Sequence, residues 1–171
     1  MMNTNSVNFF ENNPVESNNS GSELVIAGWR LSNPENMGKI IRLGHNVNAK
    51  TILFIKDDEV HRESKIKKTA GFSFNQTEWK FISEKEFISD YLPGNNLVVL
   101  ETCDGAKNIF TEKLPSKTII LAGSESHGLP ENIIEKSNYK VFIPMPGGCK
   151  SMNISNALSV AVFEWFRQQN Y

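Results

Sequence analysis

A chain of 171 residues with 39% apolar content is long enough for one domain with a sizeable core, and no apolar run approaches the length of a membrane span. A formal net charge of -1 neither demands nor rules out a nucleic-acid partner, because a basic patch can sit on a neutral protein. Cys103 and Cys149 lie far apart and form no CxxC pair, which argues against a disulfide framework or a zinc knuckle. With a start that lacks the basic and apolar segments of a signal peptide, this suits a reducing, cytoplasmic setting.

Met1 to Ser22 is rich in Asn and Ser and has no Lys or Arg. Few apolar residues are available there to offset ordering entropy, so the composition predicts a disordered tail over residues 1–22 and one folded domain over 23–171. ELVIAGW then reads as a strand. SNPENMGKIIRLGHN reads as a helix with Asn33 as N-cap, Pro34 at the first helical position and Met37, Ile40, Ile41 and Gly44 as its inner face. TILFI is a short apolar strand, followed by the basic segment HRESKIKK. Ser83 with Glu86 resembles a capping box opening a helix to about Leu92. LVVLE, TIILAG and KVFI are further apolar strands. PENIIEK starts a helix after a proline, and a last helix runs from near Ser151 towards Gln169, its buried face marked by Ile154, Ala157, Leu158, Ala161, Val162 and Trp165. Strands that alternate with helices and are apolar nearly throughout predict an α/β fold: a mostly parallel sheet with helices on both faces.

Ligands gather at the carboxyl ends of such strands. Three loops follow strands directly: Glu101 to Gly105, Gly123 to Gly128, and Pro144 to Lys150. The last two are rich in glycine, which lets backbone groups come close to a ligand. GSESHG has the glycine spacing of a P-loop, but Leu129-Pro130 stands where Gly-Lys-Ser/Thr is required, and no G-x-G-x-x-G follows the first strand. His45, His61 and His127 are scattered and suggest no metal site. Spacing alone stops at a small ligand bound by loops after the later strands.

Three segments together resemble a known family. Asn33-Pro-Glu-Asn-Met-Gly-Lys-Ile-Ile-Arg42 is similar to the first motif of the SpoU/TrmH branch of SPOUT RNA methyltransferases. Gly123-Ser-Glu-Ser-His-Gly128-Leu is similar to the second. Ile143-Pro-Met, then Gly147, then Ser151-Met-Asn-Ile-Ser155, is similar to the third, and KSMNISNALSVAVFEWFRQ looks most like the small enzymes that methylate the wobble ribose of tRNA. The resemblance runs from about Leu24 to the end. It implies a C-terminal deep trefoil knot, S-adenosylmethionine as methyl donor, no metal, a homodimer, and methylation of ribose 2′-hydroxyls, with tRNA favoured over ribosomal RNA as substrate. A family member that binds RNA or cofactor without catalysis is the alternative, as is a nucleotide-binding α/β protein in which the motifs are accidental.

By this resemblance Gly123, Ile143, Ser151 and Met152 hold the cofactor, largely through backbone groups, and Leu100 matches a further contact. Leu100 and Ile143 suit plain core packing as well, and Gly123 suits a simple turn. Arg42, Asn153, Ser151 and Glu125 form the implied catalytic set. A guanidinium is always protonated, so Arg42 fits a phosphate-binding and alkoxide-stabilising role better than that of a base. Asn153 orients the ribose or the cofactor carboxylate, while Ser151 and Asn153 also suit a helix N-cap. Glu125 organises the second loop or the dimer partner's site, or is a surface carboxylate. Asn33 and Asn36 are caps or, with Arg42, RNA contacts. Lys39, Arg42, Lys50, Lys56, Arg62, Lys65, Lys67 and Lys68 offer a basic face, although Arg62 to Lys68, with Glu59 and Glu63 interleaved, also suits an exposed helix with ordinary charges.

Overall fold

The computed structural model describes residues 5–15, 21–56, 62–124 and 126–171. Its centre is a seven-stranded sheet built from β1 (Glu23–Trp29), β2 (Thr51–Ile55), β3 (Trp79–Ile82), β4 (Asn96–Leu100), β5 (Lys107–Asn108), β6 (Lys117–Ala122) and β7 (Tyr139–Phe142), in the order β3-β2-β1-β6-β4-β7-β5. Every pairing is parallel, and Ile26 stands between Ile52 and Ile120. The near-continuous apolar strands therefore read correctly, because both faces are covered.

Alternation along each strand supplies two cores. Leu24, Ile26, Phe54, Val98 and Ile120 face one side, with Met37, Ile40 and Ile41 of α2 (Pro34–Asn46), Ile66 of α3 (Glu63–Ala70) and Leu158 and Val162 of α6 (Ile154–Asn170). Val25, Ala27, Trp29, Leu53, Val99 and Leu121 face the other, against Phe87, Leu129 and Ile133. Phe87 opens a π-wound turn, Phe87–Tyr91, that continues α4 (Glu84–Glu86). Ser83 Oγ accepts from the Glu86 amide at 3.2 Å, so the expected cap is in place. Ile133 lies on α5 (Glu131–Ile134).

The α2 helix starts as the sequence predicts. Asn33 Oδ1 accepts from the Glu35 amide at 2.8 Å, and Pro34 takes the first position. Gly38 is the contact with α3: a Cβ there would stand 2.6 Å from Thr69 Cβ and 2.7 Å from the Ile66 carbonyl. Backbone contact that close needs glycine.

Three elements were not foreseen. The edge strands β3 and β5 have only one neighbour each, and β3 buries only Ile82, so neither shows the apolar run that marked the central strands. Ser6–Asn12 form a short helix, α1, where composition predicts none. Asn5 Oδ1 caps it by accepting from the Val7 amide, and Asn12 and Asn13 donate back to the Asn8 and Phe9 carbonyls. None of its residues is buried, so local asparagine bonds hold it and no core does. Among the described residues, no helix is long and apolar enough to cross a membrane.

Candidate active site

The carboxyl ends of β1 and β6 lie side by side, and the chain leaves them in opposite directions, β1 towards β2 and β6 towards β7. Such a reversal opens a crevice. A cleft of ≈ 440 Å³ occupies it, lined by Trp29, Arg30, Ser32, Ser124, Ser126, His127, Gly128 and Pro130. Arg30 adopts φ 48°, a left-handed backbone that turns the chain sharply off β1. Its guanidinium sits 3.7 Å from Glu84 and 5.7 Å from the Trp29 ring. Sequence reading missed Arg30, Ser32 and His127 as lining residues. The available signal was position alone, directly after a strand or in a glycine-rich loop. A larger cleft of ≈ 1150 Å³, lined partly by Phe10, Leu24, Lys50 and Phe163, lies at the opposite, amino end of the strands.

The second loop is folded tightly on itself. Ser124 and Gly128 form an antiparallel bridge, with the Gly128 amide donating to the Ser124 carbonyl at 3.0 Å. A Cβ on Gly123 would fall 2.2 Å from the Gly128 carbonyl carbon. Gly123 is therefore more than a turn residue, because it lets two backbone segments touch. Glu101 fastens the loop from β4: one carboxylate oxygen accepts from the Leu129 amide at 3.2 Å and the other from the Thr102 amide at 2.9 Å. Glu101 is a positioning residue that no motif announced. Glu125 lies outside the described residues.

Leu100, Gly123 and Ile143 stand at or just beyond the ends of β4, β6 and β7, adjacent strands in the order β6-β4-β7. Leu100 and Ile143 are buried, so both pack in the core while their backbones reach the rim. Beyond Ile143 the chain runs through Gly147 and Gly148, where an added Cβ would meet nothing within 4 Å. Lys150 closes this loop by donating to the Met145 carbonyl at 2.6 Å. Ser151 and Met152 are exposed at its end.

Asn153 then caps α6. Its Oδ1 accepts from the Ser155 amide at 3.0 Å and from the Ser155 hydroxyl. The helix thus begins three residues after Ser151, and the cap is Asn153, not Ser151. Asn153 Nδ2 donates to Asn36 Oδ1 at 3.1 Å, and Asn36 is 2% exposed. One hydrogen bond therefore joins the first and third motifs across 117 residues. It also sets the amino ends of α2 and α6 together, where the helix dipoles favour negative charge.

Asn33 is the α2 cap, as expected. Arg42 lies six residues beyond Asn36 on the same helix, about 9 Å along its axis, and is exposed. Six residues also set it about 120° round the helix axis from Asn36, on the exposed side of α2. Among the described residues no contact holds its guanidinium, and none joins it to Ser151 or Asn153. The basic face is partly built. Lys39 and Arg42 on α2 and Lys65, Lys67 and Lys68 on α3 are exposed on two packed helices. Lys50 is not part of it, since it pairs with Glu23 at 2.7 Å at the amino end of β1. Lys56 instead sits 4.3 Å from the Phe81 ring centroid. Among the described residues, no group of three His, Cys, Asp or Glu side chains could hold a metal ion.

The family model described as "SpoU rRNA Methylase family" matches residues 23–163. The chain is 25% identical over 151 residues to the 23S rRNA (guanosine-2′-O-)-methyltransferase RlmB of Pseudomonas syringae pv. tomato, covering 88% of this chain and 60% of that one. It is 29% identical over 141 residues to the tRNA (cytidine(34)-2′-O)-methyltransferase of Methylovorus glucosotrophus, covering 81% of this chain and 90% of that one. The fold superposes with TM-score 0.77 on the AdoMet-bound rRNA methyltransferase from Sinorhizobium meliloti, at 23% identity over 85% of this chain and 56% of that one. It superposes with TM-score 0.76 on a structure described by the 2-OH methylation of C/U34 on tRNA, at 23% identity over 86% of this chain and 96% of that one. The chain thus spans about 60% of the length of the RlmB relative.

Proposed function

Because the chain belongs to the SpoU rRNA methylase family, we propose that it is an S-adenosylmethionine-dependent RNA ribose 2′-O-methyltransferase, with tRNA as its substrate. The observation that carries this reading is the Asn36–Asn153 hydrogen bond. It fixes the helix bearing Arg42 against the helix that begins at the glycine-rich rim. The tRNA preference rests on coverage: the chain spans 90% of the tRNA-modifying relative but 60% of the ribosomal one. Ribosomal RNA is the second reading, supported by RlmB itself.

The rim suits the cofactor. Leu100 and Ile143 offer an apolar floor at adjacent strand ends, Gly147 and Gly148 border open space, and the Gly123 backbone is pressed flat against Gly128. S-adenosylmethionine supplies, when bound, a sulfonium-activated methyl group. Backbone groups at Leu100, Gly123, Ile143 and Met152 would hold it, with Ser151 beside the reacting end. Its methyl carbon would pass to the ribose 2′-oxygen with loss of the carbon–sulfur bond. The hydroxyl proton leaves to water or phosphate.

The protein's own work is alignment and charge. Arg42 grips the phosphate next to the target ribose in bidentate fashion and steadies the developing alkoxide. Asn153 presents its amide towards the ribose from the helix junction, with Asn36 behind it, and Asn33 keeps the amino end of α2 in place. Glu125 belongs to the second loop, which Glu101 anchors. Two copies working as a homodimer would double the basic face, and the half-exposed Phe163 on α6 supplies apolar surface for pairing. The cytoplasm, where tRNA is found, is the setting this activity requires.

The test is transfer of labelled methyl from S-adenosylmethionine to separated tRNA and ribosomal RNA from cells that lack this chain, with Arg42→Ala as control. Label in a tRNA ribose, lost in the variant, is expected. Label confined to ribosomal RNA would replace the substrate, and none in either pool would overturn the reading.

A further inference from the structure

The α3 helix ends at Gly71, whose φ of +60° turns the chain out of helical geometry. The next residue, Phe72, is 77% exposed. It is not on a loose segment. Ser73 beside it is buried and its Oγ lies 3.0 Å from His45 Nδ1. Phe74 packs at 5.1 Å from the Trp79 ring, and its carbonyl accepts from Trp79 Nε1 at 3.1 Å. The chain on both sides of Phe72 is thus fastened, yet the ring is held out in water.

One face of that ring is supported. His45 of α2 lies against it, centroids 5.7 Å apart and planes tilted by 37°. His45 stands three residues after Arg42, so the two are neighbours on one side of the helix. Behind the ring, α3 carries exposed Lys65, Lys67 and Lys68. Glu63, in the first turn of α3, is the carboxylate on that helix. Among the described residues none of these lysines makes an ion pair. His45 is in the last turn of α2, so Arg42, His45 and Phe72 form a line along the outer side of α2 that runs away from the strand ends bearing the candidate site, onto a basic helix.

We propose that Phe72 is a stacking platform for an unpaired base of the RNA substrate, several nucleotides away from the one whose ribose is methylated, with Lys65 and Lys68 contacting the backbone there. Lys67 lies over the Phe74 ring at 5.7 Å, which leaves Lys65 and Lys68; a fixed, water-exposed aromatic with exposed lysines nearby is how proteins hold single-stranded nucleic acid: the ring meets the base and the cations meet phosphates. The charge also selects the occupant, since an apolar protein partner gains nothing from the lysines. This rests on the RNA reading above and extends it to a contact outside the three motifs.

The test uses the full chain. Bulk tRNA serves for kinetics, and a short single-stranded RNA carrying 5-iodouridine serves for photo-crosslinking. Phe72→Ala should raise the KM for tRNA about tenfold with kcat and S-adenosylhomocysteine affinity unchanged, while Phe72→Trp keeps the wild-type KM. Crosslinks located by mass spectrometry should fall on Phe72 and disappear in Phe72→Ala. Lys65→Ala with Lys68→Ala should flatten the salt dependence of binding. The ring's exposure means that Phe72→Ala keeps the wild-type Tm. An unchanged KM in Phe72→Ala, with methyl transfer intact and still lost in Arg42→Ala, would sink the platform and leave the activity standing. A change of oligomeric state in Phe72→Ala with no change in RNA affinity would reassign the ring to a protein contact. Failure of the wild type to bind or methylate any RNA would remove the RNA reading itself.

Discussion

Arg42 and Arg30 show how much one residue's surroundings decide. Arg30 is engaged by Glu84 and Trp29, whereas Arg42 extends from α2 with no carboxylate beside it among the described residues. A guanidinium without a carboxylate partner on the exposed side of α2 is suited to a phosphate. Arg42→Ala is expected to cut kcat by about 100- to 1,000-fold with an unchanged Tm. Arg42→Lys should restore little, because a point charge does not reproduce a two-pronged grip; single-turnover methyl transfer measures both. Glu164 illustrates a purely structural charge. Its carboxyl is held below the usual carboxylate range, chiefly by the Arg167 hydrogen bond, against burial, which raises it, with lesser help from the Gln168 hydrogen bond and the Arg167 charge. A carboxyl depressed in the folded state stabilises above its unfolded pKa, and that contribution is lost as pH falls through the folded one. The urea midpoint should therefore drop below about pH 5, and Glu164→Gln should flatten that part of the curve. The effect is small, since the Arg167 side chain is 58% exposed. At this scale the caps Asn33 and Asn153 were legible, because asparagine before an apolar-periodic run has one common use. The Asn36–Asn153 bond was not, since nothing in either motif names its partner across the chain.

Elements meet at glycines here, and two of them separate stability from binding. Gly38→Ala would drive a methyl group into Thr69 and the Ile66 carbonyl. Overpacking of this kind costs about 1–3 kcal/mol, so a lower Tm with S-adenosylhomocysteine affinity retained is expected by scanning and titration calorimetry. Gly123→Ala strikes the backbone of Gly128 at 2.2 Å, with no flexible side chain to yield. That variant should lose S-adenosylhomocysteine binding while the central sheet stays folded, as far-ultraviolet circular dichroism would report. The central strands and the long helices were readable because burial on two faces or one stripe writes itself into the apolar pattern. The edge strands Trp79–Ile82 and Lys107–Asn108 were not, because two to four residues with a single neighbouring strand leave almost no pattern. The arm helix Ser6–Asn12 escaped for a different reason: it is held by asparagine side chains, the residues whose abundance argued for disorder.

For the whole molecule, the candidate site gathers residues from Trp29 to Asn153, so no single segment contains it. Removing residues 1–22 is expected to leave methyl transfer unchanged, since no residue of Ser6–Asn12 is buried; a direct comparison of initial rates checks it. A dimer is expected in sedimentation equilibrium. The order of the motifs along the chain was legible, and the sheet that brings them together was legible as a class. Threading of a chain through its own loops leaves no mark on periodicity or spacing, so the expectation of a knot rests on family resemblance alone. The strand order has one more consequence, in time. β1 leaves the ribosome early, but its partner β6 is not made until Lys117–Ala122. Until then β1 and β2, joined by β3 once Trp79–Ile82 is made, form a piece with one side of β1 open, and β4 waits for the same late strand. Pairings so distant in sequence make folding slow and leave sticky strand margins exposed in the meantime. A nascent chain stalled before Lys117 should be a strong client of chaperones, and one released after Asn170 should not.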